Sequence, residues 1–259
     1  MTQPTPKIEL RDLQLEYSGR DGAVMPVLQS IDLTVREGEF ICIVGPSGCG
    51  KSTLLNIACG FLQPTQGQVL IDGTVVQRPD RRRVFIFQNN AVFPWLTVQQ
   101  NIGFGLLDQS PKERDEAVRH YTEMVGLTGF EQAYPRELSG GMNQRVEIAR
   151  ALAADPDVLY MDEPLGALDF LTRLKMRTDL VEIWRRTQKT ILFVTHDVEE
   201  SVQLADRVVV MSPRPAEIRA ILDVDLPRPR NLDSPEYLAI RDKIFRTMGL
   251  DHSGMQAEV

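Results

Sequence analysis

Cysteine is scarce in these 259 residues: Cys42, Cys49 and Cys59 are an odd set with no C-x-x-C pair and no histidine at ligand spacing. That excludes a disulfide framework and a zinc site, and leaves three small apolar residues suited to an interior. Long apolar runs are missing too. The longest, 40–44 and 208–211, are strand-length, far short of the ~20 residues of a spanning helix. No segment is therefore expected to cross a membrane. Residues 1–10 carry prolines and polar side chains where a secretory signal needs an apolar stretch, so export is not expected and the compartment is the cytoplasm. Positive charge is in deficit: 29 Lys and Arg stand against 36 Asp and Glu, a net charge of −7. Such a chain has no global attraction for a polyanion, which argues against a nucleic-acid partner. The one basic cluster, Arg78, Arg81, Arg82 and Arg83, reads as a solvated turn.

What is present is ordinary globular material, 42% hydrophobic and 25% charged, enough for one main domain with a sizeable core. Near-alternating apolar positions at Leu10, Leu13, Leu15 and Tyr17, and again at Ile31, Leu33 and Val35, flank the turn-rich stretch 18–22 and predict an antiparallel start. From Glu39 the pattern changes to short β-branched runs, each followed by a helical stretch: 40–44 into 51–58, 158–161 into 169–187, and 191–195 into 198–204, with a last run at 208–211. That alternation predicts a parallel sheet covered by helices. Asp72-Gly73 marks a tight hairpin. Between 88 and 154 strand signals vanish, and Ser110-Pro111-Lys112-Glu113 opens a helix with a capping box, as an inserted helical lobe would. Pro213, Pro215, Pro227 and Pro229 break up a polar segment, and Ser234-Pro235 opens a last helix through Met248.

Two motifs carry chemistry. Gly45-Pro46-Ser47-Gly48-Cys49-Gly50-Lys51-Ser52, followed by Thr53, fits G-x-x-x-x-G-K-[ST] between a strand and a helix. Glycines let successive backbone N–H groups converge on phosphate oxygens, and the helix N-terminus adds its dipole. Lys51 then reaches the β- and γ-phosphates of a nucleotide, and the Ser52 hydroxyl is a Mg²⁺ ligand. The apolar run 158–161 ends in Asp162-Glu163 at the carboxyl edge of the sheet, where open α/β folds bind ligands. Asp162 suits Mg²⁺ held through a water, and Glu163 is left to orient and deprotonate the attacking water.

Leu138-Ser139-Gly140-Gly141-Met142, a serine and two glycines at a helix start, is a second anion site, and it resembles the signature of ABC transporter ATPases. The resemblance runs from residue 8 to 211 with the motif order intact. It implies an α/β P-loop NTPase with a parallel sheet core, an antiparallel β subdomain and an inserted α-helical subdomain at about 89–154 within residues 1–225, then a C-terminal tail, 226–259, with a short helix. It further implies that ATP and Mg²⁺ are bound between two ATPase subunits arranged head to tail, with Ser139, Gly140, Gly141 and Met142 of one closing on the γ-phosphate held by the other. By the same resemblance Tyr17 stands against adenine, although a strand tyrosine also serves as packing. Gln88 touches Mg²⁺ and senses the γ-phosphate, Ala167-Leu168-Asp169 runs along the dimer interface, and His196 contacts the γ-phosphate. His196 also reads as part of a turn, since Asp197 and Glu200 make a helix start. His120 and His252 carry no functional reading. Met142, Asn143 and Gly166 depart from the commonest forms without removing a chemical group.

Phe93-Pro94-Trp95-Leu96-Thr97 lies where the family receives an integral membrane permease subunit, and it reads equally as core of the helical lobe. With Leu226-Pro227-Arg228-Pro229-Arg230 it resembles the bacterial importer ATPases for nitrate, sulfonates and taurine. Such a subunit works on the cytoplasmic face of the cell membrane and meets a solute-binding protein only indirectly. The 48 residues after Met211 are too few for a further regulatory domain. A soluble ABC-type ATPase acting on nucleic acid or ribosomes is the alternative, but it would usually add a coiled coil, a zinc insertion or a second cassette.

Overall fold

The computed structural model describes residues 6–18, 23–88 and 91–250. Residues 19–22 of the predicted turn at 18–22 and His252 lie outside the described residues, as does the end of the C-terminal tail. The chain forms two compact units, Met1–Pro79 with Thr190–Val259, and Asp80–Lys189.

The first unit begins as the apolar alternation predicts. Strands β1 (Ile8–Ser18) and β2 (Val24–Val35) pair antiparallel, and β1 also pairs with β4 (Gln66–Ile71), which turns through Asp72-Gly73 into β5 (Thr74–Val75). Asp72 and Gly73 both have positive φ, as a two-residue hairpin turn of this hand requires. Register shifts within β1 coincide with Asp12 at positive φ, the mark of a β-bulge.

The second sheet of this unit runs β10-β9-β3-β8. Strands β8 (Thr190–Val194) and β9 (Arg207–Met211) lie parallel on either side of β3 (Phe40–Val44), and all three are almost wholly buried, which explains their continuous rather than alternating apolar sequence. Helices α1 (Lys51–Cys59) and α6 (Val198–Leu204) pack against them, and α7 (Pro235–Thr247), capped by Ser234, packs against α6. The polar stretch among the late prolines holds a strand that the proline pattern concealed. β10 (Ile218–Asp223) pairs antiparallel with β9, because Pro215 and Pro227 flank the strand instead of interrupting it. Arg228 and Arg230, read above as a family marker, fasten the tail: Arg228 donates to the Leu204 carbonyl (2.7 Å) and Arg230 to that of Ala205 (2.6 Å), at the C-terminal end of α6.

In the second unit β6 (Arg83–Ile86) and β7 (Val158–Asp162) pair parallel, joined by the predicted helical stretch. That stretch holds α2 (Val98–Ile102), α3 (Pro111–Met124) and α4 (Gly140–Ala153), and α5 (Phe170–Thr187) follows β7. The Ser110–Glu113 capping box is formed in both directions, and Thr97 with Gln100 makes a second one on α2. Buried Ile102, Leu106, Val125, Leu127, Val146, Ile148 and Leu152 make its core. Arg78, Arg81 and Arg82 are exposed, as a solvated turn requires, whereas Arg83 enters β6 half-buried. All three cysteines are buried, and none is in a disulfide.

A buried ion pair ties β3 to β9. Glu39 receives Arg207 Nε at 2.6 Å and Nη2 at 2.9 Å, and also the backbone N–H of Arg36 at 2.8 Å. Burial raises the Glu39 pKa, but the hydrogen bonds from Arg207 and Arg36 outweigh it and hold the carboxyl below its ordinary 4.5. A depressed folded pKa contributes stability that is present above the unfolded value and is lost as pH falls through the folded one. Glu39→Ala is expected to cost about 3 kcal/mol in urea denaturation near neutral pH. The wild-type chain should lose this part of its stability below about pH 4.5, and Glu39→Gln should lack that part of the acid dependence.

Candidate nucleotide site

The glycine-rich loop stands between β3 and α1 as predicted. Gly48 (φ 72°) and Gly50 (φ 129°) take left-handed backbone that side-chain residues rarely adopt, and a Cβ on Gly50 would lie 2.9 Å from Leu28 Cδ2. Lys51 is buried at 5% exposure, its ammonium donating to the carbonyls of Gly45 and Pro46, both at 2.9 Å. Ser52 is exposed on the first turn of α1, and that turn carries no acidic residue to compete with an anion for the helix N-terminus. Burial pushes the Cys49 thiol up, with Lys51 opposing, so this cysteine packs beneath the loop as a neutral group.

Two further predicted residues belong to the same unit. Tyr17 is exposed near the end of β1, opposite Met25. His196 is exposed just beyond β8, and Asp197 caps α6 by accepting from the Glu200 N–H at 3.1 Å, the helix start foreseen from those two residues.

In the other unit β7 delivers Asp162 and Glu163, both half-buried, and the backbone reverses at Glu163 with φ 44°. A non-glycine residue in left-handed backbone is uncommon and concentrates at functional sites. Its carbonyl accepts from Gly166 N–H at 3.0 Å, and its side chain from Gln88 Nε2 at 3.3 Å, so two residues 75 positions apart meet here. Ser139 caps α4 by accepting from the Met142 N–H at 3.3 Å, and the first turn of α4 also lacks acids. Asp169 caps α5 through the Thr172 N–H at 3.1 Å, and hydrogen bonds from the Thr172 side chain and then its backbone hold the Asp169 carboxyl below the ordinary range. Beside it Phe170 and Leu171 are strongly exposed.

The segment offered as either groove or core divides between the two. Phe93 is half-buried under the Arg150 guanidinium, 4.8 Å from its ring centroid, while Trp95 is 68% exposed. Trp95, Leu96, Gly103, Phe104, Leu107 and Val118 help line an open groove of about 480 Å³ in the helical stretch. On α4, burial pushes Glu147 up to about 7, and Arg150 donates to the Ala91 carbonyl at 2.9 Å. Sequence reasoning had no signal for these, nor for Arg214, which donates to the Gly48 carbonyl of the glycine-rich loop from 166 residues away. The donors themselves fit Mg²⁺: a hydroxyl, a carboxylate and an amide oxygen are hard ligands, and among the described residues there is no cluster of His, Cys, Asp and Glu for a softer metal.

A glycine-rich loop between strand β3 and helix α1, with a second glycine-framed helix start at α4, is the arrangement of a P-loop ATPase of the cassette type. The family profile described as ABC transporter matches residues 28–166, and the chain belongs to that family as one of its ATP-binding, ATP-hydrolysing proteins. It is 49% identical over 244 residues to an uncharacterized ABC transporter ATP-binding protein of Methanocaldococcus jannaschii, covering 93% of this chain and 90% of that one. It is 41% identical to the aliphatic sulfonates import ATP-binding protein SsuB of Bacillus thuringiensis, covering 96% and 97%. Among solved structures it resembles the ATP-binding cassette MJ0796 in a dimeric post-hydrolysis state bound to ADP and Pi, with TM-score 0.72, 32% identity, and 84% and 98% of the two chains covered. No helix among the described residues is long and apolar enough to cross a membrane.

Gly141 has a packing reason to be glycine. A Cβ there would lie 2.4 Å from Thr172 Cγ2 on α5. Gly141→Ala is expected to lower stability by about 1–3 kcal/mol. The double variant with Thr172→Ser, which removes that methyl, should recover most of the loss in denaturant titrations.

Proposed function

We propose that this chain is the energy-coupling subunit of a bacterial importer for a sulfonate, taurine, nitrate or a similar small solute, and that it hydrolyses MgATP at composite sites of a head-to-tail dimer. The observation that carries the reading is the pair of helix starts, α1 and α4, each framed by glycine and free of first-turn acids, on the two separate units of one chain. Each suits phosphate. The likeness to SsuB, named for aliphatic sulfonate import, supports the solute class, and the dimeric MJ0796 cassette with ADP and Pi supports the arrangement.

In this reading the loop amides and Lys51 bind the β- and γ-phosphates, and Tyr17 stacks on adenine. Ser52, Gln88 and Asp162, the last through water, would hold Mg²⁺, which supplies charge neutralisation at the β- and γ-oxygens. Glu163 accepts a proton from water as the water oxygen bonds to the γ-phosphorus. The bond from that phosphorus to the β–γ bridging oxygen breaks, and ADP departs with the electron pair. His196 positions Glu163 and contacts the γ-phosphate. Ser139, Gly140, Gly141 and Met142 of the second subunit close over it, with Asp169 along the interface. The aromatic groove at Phe93, Pro94, Trp95 and Leu96 receives a permease subunit on the cytoplasmic face of the membrane, and a solute-binding protein acts through that permease.

Glu163→Gln is expected to lose at least about a hundredfold in turnover while forming an ATP-dependent dimer in gel filtration; a variant that stays monomeric with ATP and turns over normally would refute the composite site. Lys51→Ala should bind MgATP weakly and lose hydrolysis, as read by nucleotide titration and phosphate release. Trp95→Ala should keep ATPase activity but fail to co-purify with the permease.

A further inference from the structure

Arg214 lies outside the glycine-rich loop motif and donates a hydrogen bond to that loop. Its Nη2 donates to the Gly48 carbonyl at 2.7 Å, and its Nη1 lies 3.8 Å from Met25 Sδ. Gly48 is a left-handed residue, and no other side chain packs where its Cβ would stand. The peptide that follows is instead held at both ends, its carbonyl by Arg214 and its N–H by the Pro46 carbonyl at 3.3 Å. A loop that binds an anion through N–H groups must keep its carbonyls directed elsewhere. Here a guanidinium takes one of them.

The backbone that presents Arg214 is itself fixed. Ser212 N–H donates to the Glu217 carbonyl at 2.9 Å, and Ala216 is stitched to β2 by bonds between its N–H and Val27 O (2.9 Å) and between Gln29 N–H and its carbonyl (3.0 Å). Met25, the other contact, is the cross-strand partner of Tyr17. The guanidinium thus spans from the strand pair that carries Tyr17 to the loop that begins at Gly45.

We propose that Arg214 is a positioning residue for nucleotide binding: it occupies the Gly48 carbonyl, fixing that turn of the loop, and adds positive charge beside it. The inference rests on the reading of residues 45–52 as the phosphate site. Preorganisation of this kind acts on affinity, because without it the loop must be ordered when the nucleotide arrives.

The test is ATP affinity and steady-state ATPase kinetics of the full chain with Arg214→Ala, beside Lys51→Ala. Arg214→Ala is expected to raise the Kd and KM for ATP about five- to tenfold, with a much smaller change in kcat, while the melting temperature of the nucleotide-free protein stays within about 2 °C of wild type. Wild-type affinity in Arg214→Ala, with affinity lost in Lys51→Ala, overturns the inference and leaves the loop reading standing. A fall in melting temperature large enough to account for lost binding also overturns it, by reducing Arg214 to a structural tie. Unchanged affinity in both variants overturns the loop reading as well.

Discussion

The glycine-rich loop at 45–52 depends on how its peptide groups are disposed. Backbone amides attract an anion only if the carbonyls attached to them point elsewhere, and in eight residues there is little room to hide them. Two of those carbonyls, Gly45 and Pro46, accept from the Lys51 ammonium, and a third, Gly48, accepts from Arg214. Left-handed backbone at Gly48 and Gly50 makes the curl accessible, and the tight seat of Gly50 against Val27 and Leu28 sets the loop on the β-structure behind it.

The same economy recurs at the other chemical elements. Ser139 and Asp169, both read as functional, also terminate α4 and α5 at their N-termini, and Asp197 beside His196 does the same for α6. A cap fixes where the helix starts, and the helix start fixes where the functional group stands. The close approach of Gly141 to Thr172 ties α4 to α5, so the signature turn and the Asp169 turn are positioned together. Glu163 adds strained backbone at the exit of β7, and such strain persists only where the surroundings over-determine it.

Much of the fold was legible because its signals are local. The buried parallel strands announce themselves as short β-branched runs, Ser110-Pro111-Lys112-Glu113 as a helix start, and Asp72-Gly73 as a hairpin. Where local signals conflict, the reading failed. Prolines on either side of 218–223 concealed β10, whose pairing with β9 is a contact between segments and leaves little trace in the flanking residues. The stretch from Phe93 to Thr97 was ambiguous for a similar reason: aromatic content does not distinguish a core from a groove, and only packing against α4 and the neighbouring turn sends Phe93 inward and leaves Trp95 exposed.

By itself the sequence determined which chemistry is possible. The order of the phosphate loop, the acidic strand end and the glycine-framed helix start can be read because each motif places its groups within a few consecutive residues. Tertiary structure alone decided the partnerships across long separations: Gln88 with Glu163, Arg207 with Glu39, Arg214 with Gly48. Each of these is a polar contact between side chains or loops whose proximity depends on strand order and helix packing, and hydrophobic periodicity carries no information about which distant charge will meet which carbonyl.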